Sequence, residues 1–514
     1  MPSRVKIFNI NDLSLKVATL KRNGNKIIHC HGVFDLIHPG HVRHFQSAKV
    51  LGDVLVVTIT SDPYVNKGPG RPVFSEKLRA ESVAALECVD YVVINYSYNA
   101  VELIKKIRPD VYVKGNDYAD ADKDECLDIN LEREAVESVG GKIHFTQEIT
   151  FSSSSLLNEY FEVYSKPVQN FLKNFRKRYS ADKVIESLRN LKKMRVLLIG
   201  ETILDEYHYV AAIGKPPKGD HIAAKFIRGE THAGGILACA NHIANFCGSV
   251  DLITAIGNQD FMEKEAFVRA SLKSNINLHL FFHPTAPTIV KRRYVNQTFL
   301  NKLFEIYVID DRPSLELETK ILAQLKKIFS DKKIYDLVLV LDYGHGLLTP
   351  VLIDCISNQN CFLAVNAQTN TANAGYNPIT KYRRANYFCL DEPELRLAFR
   401  DKDNDINQIL TRLVRNIYLP GAITVTRGHL GSITYDVANK TFFEAPVLSQ
   451  KIVDTTGAGD AFLAITAPCV ASGIPMDLIP FIGNAVGALA VGYLGNRSSI
   501  EAESLFKFIT ALLK

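Results

Sequence analysis

His31-Gly32-Val33-Phe34-Asp35-Leu36-Ile37-His38-Pro39-Gly40-His41 follows an apolar run at 26–30 and leads into a helical pattern at 42–50. A strand, a glycine-bearing turn and a helix start in that order place backbone N–H groups where an anion can sit. Two imidazoles three residues apart beside a helix N-terminus can donate to charge developing on an α-phosphate while pyrophosphate leaves. Gly32 and Gly40 would admit phosphates close to the main chain. Taken alone, His38 and His41 read equally well as ordinary loop and helix-cap histidines. Outward from this stretch, β-rich runs at 53–60, 91–94 and 110–113 alternate with helical patterns at 79–86 and 101–107. That alternation predicts a parallel α/β sheet. A short amphipathic helix at 13–22, with Asn11-Asp12 as its expected cap and Gly24 near its end, precedes it. This first unit closes near residue 161.

Far along the chain, Asp454-Thr455-Thr456-Gly457-Ala458-Gly459-Asp460-Ala461-Phe462 repeats the design with different chemistry. Its glycines open a helix of small residues whose free N–H groups can hold a γ-phosphoryl. Asp460 beside that anion hole can take a proton from an acceptor hydroxyl. A plain glycine-containing helix start is the bland alternative for Gly-Ala-Gly by itself. Strand patterns at 195–200, 252–256, 337–341, 362–365, 387–390 and 423–426 alternate with helices, and stretches 206–210 and 221–227 suit a small separate sheet. Between the units, residues 166–193 carry nine basic and two acidic residues. Such a cluster can bind an anionic surface. The recurrence of Phe171, Phe175, Val184, Leu188 and Leu191 favours a solvated helical connector. The expected domains are therefore 1–161, a basic helical linker 162–194, and 195–514.

The whole chain sets limits on this. Its 514 residues exceed one ordinary core. With 47% hydrophobic and 22% charged residues and a net charge of +5, nothing calls for nucleic acid. No apolar run nears the ~20 residues of a membrane span, and no signal core follows Met1. Nine scattered cysteines without a C-x-x-C pair suit reduced thiols, hence a cytoplasmic enzyme.

The pattern G-x-F-D-x-x-H-x-G-H resembles the signature of cytidylyltransferase-like nucleotidyltransferases over residues 26–160. Leu51-Gly52-Asp53, Ser61-Asp62, Arg71-Pro72-Val73, Val113-Lys114-Gly115-Asn116-Asp117-Tyr118 and the serine turn at 152–155 extend the likeness. The resemblance implies a Rossmann-like domain. It assigns His38 and His41 to transition-state stabilisation and makes Lys49 and Lys67 candidate phosphate ligands, each equally readable as a solvated charge. Gly32, Phe34, Asp35 and Asp62 would line the site, and Lys114, Asp117, Ser152, Ser153 and Ser154 would contact nucleotide. The arrangement is most similar to the adenylyltransferase half of bifunctional heptose-phosphate kinase/adenylyltransferases.

Asp-Thr-Thr-Gly-Ala-Gly-Asp-Ala-Phe resembles the PfkB/ribokinase sugar kinase signature, and the likeness covers roughly 195–514. It implies a ribokinase-like α/β domain with a small β lid, through which such kinases often form homodimers. Gly200-Glu201-Thr202-Ile203-Leu204-Asp205 and Ala233-Gly234-Gly235 are similar to its sugar-facing segments, giving Asp205, Gly234 and Gly235 as substrate contacts. Arg427, Gly428, Gly457, Ala458, Gly459 and Asn484 would bind nucleotide, with Asp460 as base. Asp391 and Glu394 stand where the family has its N-x-x-E magnesium motif. Departures matter: Ala238 replaces a sugar-contacting Asn, D-Y-x-K-G appears as Asp342-Tyr343-Gly344-His345-Gly346, and D-P-K appears as Asn366-Ala367-Gln368. They imply a different substrate or weakened catalysis, the former favoured because base and anion hole remain.

Together these resemblances imply a two-station enzyme of activated-sugar synthesis. With Mg²⁺ and ATP it would phosphorylate a sugar or sugar phosphate, and with CTP or ATP it would attach a nucleotide to the product. The alternative is a nucleotidyltransferase acting on a sugar or alcohol phosphate, with a kinase-like domain that only regulates or dimerises. Small molecules, not nucleic acid or membrane, are the expected partners. The order of the halves is the reverse of the heptose enzymes.

Overall fold

The computed structural model describes residues 6–65, 71–115, 127–146, 164–259, 261–330, 335–416, 421–449, 452–492 and 495–514. The chain divides into two compact units, residues 1–165 with 506–514 and residues 166–505.

The first unit holds a six-stranded sheet in the order β1-β4-β3-β2-β5-β6. These are β1 Ile7–Phe8, β2 Ile27–Gly32, β3 Val54–Thr60, β4 Tyr91–Asn95, β5 Val111–Gly115 and β6 Lys142–Thr146. Every pairing is parallel. β3 is buried along its whole length, as expected for a Val- and Ile-rich strand covered on both faces. Helices Pro39–Lys49 and Glu76–Ala84 cover one face through Phe45, Ala48, Ala80 and Val83. Helices Ile10–Arg22 and Val101–Ile107 cover the other through Leu13, Val17, Leu103 and Ile107. The helix expected at 13–22 starts earlier because Asn9, not Asn11-Asp12, caps it by accepting from Asp12 N–H. The strand order reverses around β2, so a crevice opens at the carboxyl ends of β2 and β5.

The second unit has a nine-stranded sheet in the order β11-β10-β7-β14-β15-β16-β17-β18-β19. Its members are β7 Arg195–Gly200, β10 Ser249–Gly257, β11 Ile276–His283, β14 Leu337–Asp342, β15 Leu363–Ala367, β16 Tyr387–Asp391, β17 Ala422–Thr426, β18 Ser432–Asp436 and β19 Thr441–Ala445. Pairing is parallel from β11 to β17 and antiparallel beyond. A four-stranded sheet, β13-β12-β8-β9, stands apart: β8 Thr202–Gly214, β9 Ala223–Gly235, β12 Ile289–Asn296 and β13 Lys302–Val308. The sequence marked only parts of β8 and β9. β12 and β13 complete the sheet by pairing with β8 and with each other.

The basic segment read as a solvated connector forms two helices, Lys166–Arg176 and Ala181–Asn190, with Val168, Leu172, Phe175, Val184, Ile185 and Leu188 buried. Phe175 stacks on Phe481 with centroids 4.2 Å apart, and Tyr179 donates to Asp477. Its lysines stay outside, so the segment is a folded part of the second unit. Among the described residues, no helix is long and apolar enough to cross a membrane.

Candidate active sites

In the first unit, the turn after β2 is tightly wound. Phe34 and Leu36 both take left-handed backbone angles, φ 49° and 54°, which L-residues adopt at a cost of ~1–2 kcal/mol each. Such strain persists where the surroundings fix it, and it clusters at functional turns. Phe34 packs on Phe45 and sets its ring edge-on to His41 at 5.4 Å. A Cβ at Gly32 would come within 3.0 Å of the Phe34 ring, so the glycine makes room for it. His38 caps helix Pro39–Lys49 by accepting from Gly40 N–H at 3.1 Å through Nδ1. The rings of His38 and His41 stack with centroids 3.8 Å apart. Both imidazoles therefore lie at a helix N-terminus, at the carboxyl end of β2.

Asp35 is buried and accepts from Val73 and Phe74 N–H groups at 2.9 and 3.2 Å, with the Arg71 guanidinium 3.7 Å away. It fastens the 71–74 segment to the turn. Asp62 is nearby and pairs with Arg79 at 2.7 Å. Arg79, unremarked in the sequence, is fully buried and also donates to the carbonyls of Val33, Thr60 and Phe74. Lys114 on β5 pairs with Glu132 at 2.9 Å. Glu132 also accepts from Tyr112 Oη and Ala100 N–H. Despite burial, the ammonium of Lys114 holds the Glu132 carboxyl below its ordinary range. Lys49 requires a correction. At the C-terminal end of its helix, it pairs with Asp90 at 2.5 Å and donates to Asp53 O at 2.6 Å. Both partners precede their strands, so Lys49 is at the opposite end of the sheet from His38. Lys67, Asp117, Ser152, Ser153 and Ser154 lie outside the described residues.

In the second unit, Gly457 has φ 80° and precedes helix Ala458–Ala471, and a Cβ there would strike Asn496 Oδ1 at 2.1 Å. Asp460 sits in the first turn of that helix. Burial pushes its carboxyl up to about 6, against the opposing pull of Tyr343, Gln368 and Lys291. Gln368 Nε2 donates to Asp460 Oδ1 at 2.7 Å. A cavity of about 150 Å³ brings Asp460 together with Asp205, Gly235, Lys291, Arg293 and Gly459. Asp205 accepts from Arg293 Nη1 at 2.5 Å and from Asn496 Nδ2 at 3.0 Å. Gly234 has no room for a Cβ, which would meet Asp205 Oδ2 at 2.2 Å.

The sequence reading missed Lys291, Arg293 and Asn496, and named Gln368 only as a departure from D-P-K. A signal existed for the first two. In Lys291-Arg292-Arg293, period-two alternation puts residues 291 and 293 on one face of a strand. Parallel pairing then sets Lys291 opposite Asp205.

Arg427 pairs with Glu392 at 3.0 Å, and Gly428 has φ 54°. Asn484, expected at the nucleotide, instead donates from Nδ2 to the carbonyls of Ala445 and Pro446 at 2.7 and 2.9 Å. It braces the chain after β19. Asp391 and Glu394 form a capping box on helix Glu392–Phe399, and Glu394 also accepts from Thr369 N–H. Burial and the neighbouring Asp391 push the Glu394 carboxyl up to about 8. Burial also raises Asp391. Both carboxyls are half-buried, and their oxygens accept the capping-box N–H groups. Among the described residues no group of three or more His, Cys, Asp or Glu could hold a metal ion. A cation at Asp391 and Glu394 would favour ionising both.

Residues 29–198 match the cytidylyltransferase-like family, and residues 193–503 match the pfkB family of carbohydrate kinases. The chain is similar to the bifunctional protein HldE of Citrifermentans bemidjiense, 37% identical over 156 residues, which are 30% of this chain and 31% of that protein. It is 48% identical to HldE of Helicobacter pylori strain G27 over 102 residues, 20% and 22% of the two chains. The chain thus spans less than a third of the length of these curated relatives. In fold it is similar to phosphofructokinase-2 of Escherichia coli, solved in complex with potassium. That likeness has a TM-score of 0.50 and 15% identity, covering 62% of this chain and all of that one.

Proposed function

Because the chain belongs to the pfkB family of carbohydrate kinases and carries a cytidylyltransferase-like domain ahead of it, we propose that it is a bifunctional, cytoplasmic enzyme of activated-sugar synthesis. The second domain phosphorylates a sugar or sugar phosphate with ATP. The first lets the product's phosphate attack the α-phosphate of CTP or ATP, releasing pyrophosphate.

The observation that carries this reading is the setting of Asp460, a buried carboxyl at a helix N-terminus that opens on a cavity with Asp205, Lys291 and Arg293. In the transfer step, Asp460 takes the proton of the acceptor hydroxyl. The N–H groups of the first turn, Gly457 to Asp460, receive charge on the moving phosphoryl group. Asp205 accepts from an acceptor hydroxyl. Lys291 lies over the Tyr307 ring and faces the Asp205 and Asp460 carboxyls, where its ammonium can meet an anionic group of the acceptor. Asp391 and Glu394 would hold Mg²⁺, which supplies charge neutralisation to the triphosphate. In the first domain, His38 and His41 donate to the α-phosphate as pyrophosphate departs.

The lid sheet leaves Ile213, Ile222, Phe226, Phe299 and Phe304 exposed, and apolar surface of that kind supports a homodimer formed through it. Light scattering of the purified protein tests that arrangement.

The decisive experiment supplies each nucleoside triphosphate with candidate sugars and sugar phosphates and identifies products by mass spectrometry. A phosphorylated intermediate followed by a nucleotide-sugar is expected. Nucleotide attachment without any phosphorylation would overturn the kinase half.

A further inference from the structure

We propose that Gln368 is the positioning residue for the base Asp460, holding its carboxylate through a neutral amide. The inference rests on the kinase reading of the second domain.

Gln368 follows β15 directly, and both of its main-chain polar groups are tied. Its N–H donates to Asp342 O at 2.8 Å, and its carbonyl accepts from Asn377 Nδ2 at 3.1 Å. Asn377 is itself fixed: Nδ2 also reaches Asp342 O and Oδ1 at 3.0 and 3.1 Å, and its Oδ1 accepts from Lys381 Nζ at 2.5 Å. Asp342 completes the brace by accepting from Tyr382 Oη at 2.6 Å. Gly344, at φ 71°, lets the neighbouring turn press against this bundle, since a Cβ would strike Asn373 and Asn377. The amide of Gln368 therefore projects from a locked backbone, and little ordering entropy opposes its 2.7 Å bond to Asp460 Oδ1. Gln368 thus holds Asp460 Oδ1, while the Tyr343 hydroxyl also bears on the same carboxylate.

The charge count of the cavity explains why an amide suits this position. Lys291 and Arg293 already face Asp205 and Asp460. A third cation at 368 would depress the Asp460 carboxyl and weaken it as a base. Other titratable groups around Asp460 are Tyr343 after β14, Cys239 on helix Ile236–Ala244, Cys389 on β16 and Glu394 on helix Glu392–Phe399. Of these, only Tyr343 can donate to the carboxylate, through its hydroxyl, and Gln368 supplies the neutral N–H. A hydrogen bond from Gln368 orients the carboxylate without cancelling its basicity.

The test uses the full chain, with ATP-dependent phosphorylation followed across pH for the unaltered protein, Gln368→Leu, Gln368→Lys and Gln368→Glu. Gln368→Leu is expected to lower kcat roughly 10- to 100-fold with a smaller change in the KM for ATP. Losing a donor to a charged group moves the acid limb of the profile up by about one pH unit. Gln368→Lys moves the limb down. Should the leucine variant fail to melt cooperatively, the isosteric Gln368→Glu carries the same test, because a second carboxyl beside Asp460 must raise the limb further. Limbs unmoved in these variants, with the unaltered protein active, would overturn the positioning role and leave the kinase reading standing. No phosphorylation by the unaltered protein would overturn both.

Discussion

His38 and His41 stack ring on ring, with centroids 3.8 Å apart and planes inclined by 25°. One residue caps the helix and the other lies within its first turn, so the stack joins the start of the helix to the turn that precedes it. Phe34, held in a left-handed conformation, meets His41 edge-on with centroids 5.4 Å apart. The two imidazoles form one rigid unit aimed by the fold, and their contribution to nucleotidyl transfer should be shared.

His38→Ala and His41→Ala are each expected to reduce nucleotidyl transfer by about 10²–10³-fold. The double variant should lose much less than the product of the two, because groups acting as a unit are not additive. Pyrophosphate release measures all three. Multiplicative losses would refute the shared role.

Asp460→Asn should abolish phosphorylation while nucleotidyl transfer to a pre-phosphorylated acceptor continues. The pH dependence has a definite sign. Burial raises the Asp460 carboxyl to about 6, and the base works only when ionised. Phosphorylation should therefore fall as pH drops through 6 and level off above it. A kcat/KM profile that is flat between pH 5 and 7 would contradict this assignment.

Lys291→Met should raise the KM for a phosphorylated acceptor far more than for the same sugar without its phosphate. Lys291 lines the acceptor cavity, and burial weakens its hold on its own proton, with Asp205 countering. Equal losses on both acceptors would show that the ammonium serves the transferring group instead. Competition assays with the paired acceptors decide between them.

Arg79→Met should destabilise the first unit by roughly 1–3 kcal/mol or more, the cost of leaving buried carbonyls without a donor, since Asp62 itself reaches solvent. Three carbonyls and Asp62 would lose their donor together. Lys49→Met should cost under ~1 kcal/mol, since its partners are half-exposed. It should also leave nucleotidyl transfer intact, because Lys49 is at the far end of the sheet. Urea unfolding followed by circular dichroism gives both values.

The amino-acid sequence by itself determined the two α/β units and the helix starts at 38–41 and 457–460 that carry His38, His41 and Asp460. Those features are local. Strand alternation, glycine turns and N-terminal helix residues act over a few positions and leave a periodic trace. Tertiary structure alone decided the rest. Gln368 meets Asp460 across 92 residues, and Lys291 faces Asp205 only because β12 joins β8 in a particular register. Lys49, one helix length from His38, proved remote because the helix carries it away from the crevice. Side chains distant in sequence are brought together by how sheets and helices bury their apolar faces. That packing sums many weak contacts along the chain, and no short stretch of residues records its outcome.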